Sequence, residues 1–142
     1  MKTRVKTPRP DSPTDDGAFV ERPWGGFQTI DEGEGYKVKR LVVQPGCRLS
    51  LQRHRFRAEH WVIIAGRPRI IVGACARRFR ARETVDVPRR AWHRIENPGK
   101  SQVVIIEVQH GPYLGEDDII RRADDYGRVD QPTESTRKKR RA

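Results

Sequence analysis

The sequence predicts an all-β sandwich or small barrel that ends in one short helix. Short runs rich in Val, Ile, Thr and Tyr recur from about Phe19 to Arg128, most with alternating apolar and polar residues. Gly, Pro and charged clusters separate them at short intervals, as in all-β domains. Only the last stretch of this region departs from the pattern.

The first strand is expected at GFQTI (26–30). A Gly-rich turn, DEGEG, leads into YKVKRLVV (36–43), and the PG pair at 45–46 ends that run. RLSLQRH (48–54) and HWVIIAG (60–66) follow, then AGRP (65–68) turns the chain into RIIVG (69–73). The arginines of ARRFRARE (76–83) read as a solvated hairpin face. ETVDVP (83–88) is the next strand, bounded by PRR (88–90), and QVVIIEVQ (102–109) follows the NPGK turn (97–100). GEDDIIRRADDYGR (115–128) is expected to be helical, because Glu116, Asp117 and Asp118 would lie in its first turn with Arg121 and Arg122 later, as the helix dipole favours. The Val and Ile runs, with Trp24, Trp61 and Trp92, supply a lean core.

At 142 residues the chain has room for one domain. No window reaches the ~18–20 consecutive apolar residues of a membrane span, and no apolar stretch follows the basic N-terminus to make a secretory signal. Two cysteines, Cys47 and Cys75, do not make a disulfide scaffold, so a cytoplasmic setting is expected. The net charge of +11 first points to an anionic polymer. The first ten residues, however, hold four cations and no acid, and the last twelve hold five cations and one acid, which leaves residues 11–130 with a net +3. The expected organisation is therefore a disordered tail over 1–18, a domain over 19–128 and a second basic tail over 129–142. Five charges without interleaved aromatics specify neither a sequence nor a shape, so nucleic acid is not the expected partner.

Three of the four histidines fall near candidate chemistry. In LQRHRFRAEHW (51–61), strand alternation sends Ser50, Gln52 and His54 to one face. After a turn Glu59 brings a carboxylate to the same place, and a later strand adds His93. Two imidazoles, a carboxylate and an amide oxygen suit a borderline divalent ion, zinc first, with manganese, cobalt, nickel or iron as alternatives. A lone strand histidine is more often a structural residue, and both readings stand on this pattern alone.

The spacing resembles the two cupin metal motifs. Gly46, five residues, Gln52-x-His54, four residues, Glu59, six residues and Gly66 follow the first, with Gln in the place of its first His. Pro88-x-Arg90, two residues, His93, three residues and Asn97 follow the second, with Arg90 in the place of a Gly. From about Arg22 to Arg128 the chain is similar to the C-terminal cupin domain of type II phosphomannose isomerases, which many bacteria fuse behind a mannose-1-phosphate guanylyltransferase. RPWGGF, YKVKRLVVQPG, LSLQRH, RAEHW, HRIENPGK, IEVQHGPYLGEDDIIR and DDYGR carry the resemblance. It departs at Arg55 and Phe56, where the family has a His-rich run, and in the basic segment RPRIIVGACARRFRARET. The chain is too short for the guanylyltransferase beside the cupin and shows no Gly-rich nucleotide loop, so a stand-alone domain is expected.

The resemblance implies a double-stranded β-helix, or jelly-roll barrel. It also implies interconversion of mannose 6-phosphate and fructose 6-phosphate through an enediol, within GDP-mannose supply. A metal held by Gln52, His54, Glu59 and His93 would act as a Lewis acid. Arg57 and Arg121 lie in matching motifs and are candidates for the phosphate and for catalysis, joined by Lys37. Lys37 and Lys39 share a strand face with Leu41. Lys39, Glu107 and His60 are candidate bases. The alternative is a non-catalytic cupin that binds a sugar phosphate or sugar nucleotide. A homodimer is expected by analogy.

Overall fold

The computed structural model describes residues 17–126. Eleven strands run in chain order: β1 (Val20–Arg22), β2 (Gly25–Gly33), β3 (Tyr36–Val43), β4 (Leu51–Arg53), β5 (Ala58–Ala65), β6 (Arg69–Val72), β7 (Cys75–Arg78), β8 (Thr84–Val87), β9 (His93–Glu96), β10 (Val103–His110) and β11 (Ile120–Ala123). They form two antiparallel sheets, ordered β1-β2-β3-β10-β5-β8 and β11-β4-β9-β6-β7, stacked as a barrel. Among the described residues there is no helix, so none is long and apolar enough to cross a membrane. The tails expected at 1–18 and 129–142 lie, apart from Gly17 and Ala18, outside the described residues.

The helix expected over 115–128 is overturned. Ile120–Ala123 instead forms β11, which pairs with β4, and a turn precedes it. The acids that favoured a helix start are used elsewhere. Glu116 pairs with Lys39, and the Asp118 carboxylate accepts the backbone N–H groups of Arg55 and Phe56, both at 2.9 Å. Such long-range partners override local propensity. Trp92 is a smaller correction. It is half-buried on the outside, with the guanidinium groups of Arg53 and Arg122 at 4.8 and 4.1 Å from its ring centre. The β7 edge is fully exposed, as its arginines predict, and charged edges resist strand addition.

Register turns the larger sheet into rows of inward side chains. The first row runs Lys37, Gln109, Glu59, Val87, and the second Thr29, Lys39, Glu107, Trp61, Val85. The third is apolar: Phe27, Leu41, Ile105, Ile63. In the smaller sheet Arg121, Gln52 and His93 lie side by side. The core is Trp24, Leu41, Val43, Trp61, Ile63, Ile70, Phe79, Val85, Val87, Ile95, Val103 and Ile105, and each such side chain contributes roughly 1.5–3 kcal/mol when fully buried.

Two turns hold the barrel around the candidate site. Gly66 has φ +86°, and a Cβ there would come 2.6 Å from the carbonyl oxygen of Gln102, so only glycine fits. Arg90, in the place of the motif glycine, keeps the left-handed turn at φ 67°. Its N–H donates to the His54 carbonyl at 2.8 Å, which ties the turn before His93 to the other histidine segment.

Candidate metal centre and substrate cavity

One end of the barrel interior opens into a cavity of about 290 Å³. His54, Glu59 and His93 are all buried there, and one ligand atom from each lies within 4.8 Å of the others. His93 stands on β9, Glu59 on β5, and His54 just beyond β4. Alternation along β5 buries Glu59, Trp61 and Ile63 together and turns His60 outward.

Backbone contacts orient both imidazoles. His54 Nδ1 donates to the Asp118 carbonyl at 2.7 Å, and His93 Nδ1 donates to the Ala91 carbonyl at 3.0 Å. Each tautomer therefore leaves Nε2 unprotonated; both Nε2 atoms face the Glu59 carboxylate, at 3.3 and 3.5 Å, and that of His54 also accepts from Arg57 Nη2. Burial, reinforced by Arg57, lowers the His54 pKa to about 3, and burial lowers that of His93 to about 4, so both rings are neutral at pH 7. Neutral imidazoles with fixed outer nitrogens beside a carboxylate are the donor set a divalent transition ion takes. Gln52, between Arg121 and His93, also lines the cavity and adds an amide. The residues present fit the ion.

The remaining candidates are gathered around this centre. Arg57 is buried, with Nη2 at 2.9 Å from Glu59 Oε2 and 3.2 Å from His54 Nε2. Arg121 and Lys39 line the cavity, and Lys39 pairs with Glu116. Lys37 is not a lining residue. Its ammonium donates to the Leu114 carbonyl at 3.3 Å and lies 3.9 Å from Glu116. Glu107 faces inward, and its two oxygens accept Trp61 Nε1–H at 3.0 Å and Gln109 Nε2–H at 2.7 Å. Burial, with Glu59 nearby, raises its pKa to about 7. His60 does not reach the site. Its ring lies on the outer face, 2.6 Å from Asp86.

Gln109 and Glu116 line the cavity but are absent from the sequence-based set. Alternation along β10 that turns Glu107 inward also turns Gln109 inward, so Gln109 had a usable signal. Glu116 had none, because a loop position carries no periodicity.

The family model for the mannose-6-phosphate isomerase C-terminal domain matches residues 12–124. Mannose-1-phosphate guanylyltransferase ManC of Salmonella typhimurium is 48% identical over 110 residues, covering 78% of this chain and 23% of that protein. The alginate biosynthesis protein AlgA of Pseudomonas aeruginosa is 43% identical over 121 residues, 85% of this chain and 25% of that protein. The chain thus spans about a quarter of the length of these relatives. Among solved structures, a variant of Bacillus subtilis oxalate decarboxylase OxdC superposes with a TM-score of 0.68 at 18% identity, covering 84% of this chain and 33% of that one. The cupin domain of Schizosaccharomyces pombe Cnp3 does so with a TM-score of 0.58 at 18% identity, covering 61% and 64%. At such identities the likeness establishes the fold. With its two-sheet barrel and buried His-Glu-His cluster, the chain is a cupin and belongs to the mannose-6-phosphate isomerase C-terminal family.

Proposed function

We propose that this domain is a metal-dependent aldose–ketose isomerase that interconverts mannose 6-phosphate and fructose 6-phosphate. The observation that carries the reading is the pairing, in one cavity, of the His54–Glu59–His93 cluster with an inward, buried carboxyl, Glu107, whose pKa burial raises in the metal-free chain. A proton must leave C2 of the aldose and one must arrive at C1 of the ketose, and a group with a pKa near the working pH does both well. When bound by His54, Glu59, His93 and Gln52, a divalent ion, zinc first among the candidates, would supply Lewis-acid polarisation of the substrate oxygens.

The chain's own residues have separable tasks. Trp61 and Gln109 clamp the two oxygens of Glu107 and hold it in one orientation. Lys39 is held against a carboxylate, which suits an ammonium that grips an anion better than a free amine that takes a proton. We therefore assign Lys39, Arg57 and Arg121, which line the cavity, to the phosphate and to orientation of the sugar, with arginine supplying forked contacts, and leave Lys37 outside that set. Phe27, Leu41, Leu49 and Ile95 give the cavity an apolar lining that helps exclude water.

The test is a coupled assay of purified protein loaded with Zn²⁺, Mn²⁺, Co²⁺ or Ni²⁺. Fructose 6-phosphate should form from mannose 6-phosphate, and His54→Ala should lose both metal and turnover. Binding without turnover under every metal would leave the sugar-phosphate-binding cupin as the better reading.

A further inference from the structure

Glu116 lines the cavity from the loop between β10 and β11, and its side chain is 54% exposed. Its carboxylate pairs with the ammonium of Lys39, whose side chain is 4% exposed. Lys39 stands on β3 and lines the same cavity. The two partners depend on this pair unequally. A buried ammonium stripped of its counter-charge is strongly destabilising, whereas a half-exposed carboxylate regains water when released. Glu107, in the same row as Lys39, is already held by Trp61 and Gln109. Lys37 lies 3.9 Å from Glu116, but it has Glu32 at the same distance and donates to the Leu114 carbonyl. The loop is anchored beside Glu116 rather than at it. Asp118 holds the backbone of Arg55 and Phe56 through its carboxylate, and His54 through its carbonyl. Glu116 is thus the protein's own anion on the cationic wall of the cavity, and it is the half of the pair that can leave.

We propose that Glu116 is a specificity-determining residue that occupies the anion position beside Lys39, so that a ligand takes that position only by bringing an anionic group of its own. The inference rests on the sugar-phosphate reading above and deepens it, because it names where the phosphate goes and what it displaces. A hydroxyl group brings no charge, so exchanging it for Glu116 would leave Lys39 without a counter-charge. A phosphate ester brings about −1.5 to −2 charges at pH 7 and three acceptor oxygens, against the single charge of Glu116. It therefore satisfies Lys39 better than the carboxylate does, and the displaced side chain turns into solvent.

The experiment uses mannitol 6-phosphate, made by reducing mannose 6-phosphate. It has no carbonyl and cannot isomerise, so binding is read apart from turnover. Dissociation constants are measured by calorimetry on the metal-loaded full chain, for the unsubstituted protein, Glu116→Gln, Glu116→Ala and Asp117→Asn. Asp117 is the neighbouring exposed acid, which pairs with Tyr113 and does not line the cavity. Asp117→Asn therefore removes the same charge from the same loop without touching Lys39. Metal stoichiometry serves as the check on folding in each variant. Both Glu116 variants should bind roughly fivefold more tightly than the unsubstituted protein, because the ligand no longer has to break an ion pair. Asp117→Asn should change the affinity by about twofold or less, since its charge acts only at a distance through screening solvent. Unchanged or weaker binding in the Glu116 variants, or an equal gain in Asp117→Asn, would overturn the assignment and leave the sugar-phosphate reading standing. No binding by any of these proteins would overturn both.

Discussion

On β10, Val103 and Ile105 face the same interior as Glu107 and Gln109. One rule of alternation places all four, yet the two halves of the interior do different work. The apolar half is a close-packed core whose contacts hold the sheets together. The polar half gathers two imidazoles, three carboxylates, four cations and two amides around a cavity, and burying such groups opposes folding unless each finds a partner. The lesson is that the fold's stability and its chemistry occupy neighbouring rows, separated by one two-residue step along each strand.

Crossing substitutions between the two halves gives the largest effects. Ile105→Ala should cost about 2–5 kcal/mol of stability through the cavity it leaves, while the folded fraction keeps its metal affinity. His93→Ala should do the reverse, weakening metal binding by at least the roughly 10–100-fold that loss of an outer-shell partner costs, with the smaller loss of metal-free stability. Denaturant curves and metal competition titrations on both variants decide this. If both variants lose both properties together, the halves are not separable.

A pH series sharpens the contrast at one residue. Glu107 keeps its proton to about pH 7 in the folded chain, against 4.5 ordinarily. Its contribution to stability is therefore fully present below 4.5 and is lost as pH rises through about 7. Glu107→Gln removes that titration. Its stability relative to the unsubstituted, metal-free protein should improve by about 3 kcal/mol between pH 4.5 and 8. The histidines, with lowered pKa values, slope the other way and cancel in the difference. A flat difference would show that Glu107 is already ionised across the window.

The smallest effect is expected at the turn joining the halves. Arg90 holds φ 67°, a conformation that strains a residue with a Cβ. Arg90→Gly should raise stability by about 0.5–1 kcal/mol, the strain relieved less the entropy of glycine, with metal affinity unchanged. A loss of stability would mean that the Arg90 side chain contributes more than its backbone costs.

The strands were legible because their alternation is set by burial on one face. YKVKRLVV is β3 to the residue. That His54, Glu59 and His93 come together was legible too, since they stand on strands or just past a strand end whose direction the pattern fixes. The 115–128 segment was not, because its acids serve partners about sixty to eighty residues away, Lys39 and the Arg55–Phe56 backbone. A helix dipole pattern and a set of long-range pins look alike in one dimension. The turn at Arg90 illustrates the converse. Sequence showed a missing glycine, and the backbone kept the glycine's conformation with an arginine in it.

The link between Asp118 and His54 has an evolutionary consequence. The His54 proton is fixed by the main-chain carbonyl of residue 118, which no point mutation removes. The side chain at 118 is free to drift as far as the tautomer is concerned, though it also secures the backbone of Arg55 and Phe56. What cannot drift is loop length. One residue inserted or deleted between β10 and Asp118 would present a different carbonyl, or none, to the imidazole. Descendants of this chain should therefore tolerate substitution in that loop far better than insertion or deletion.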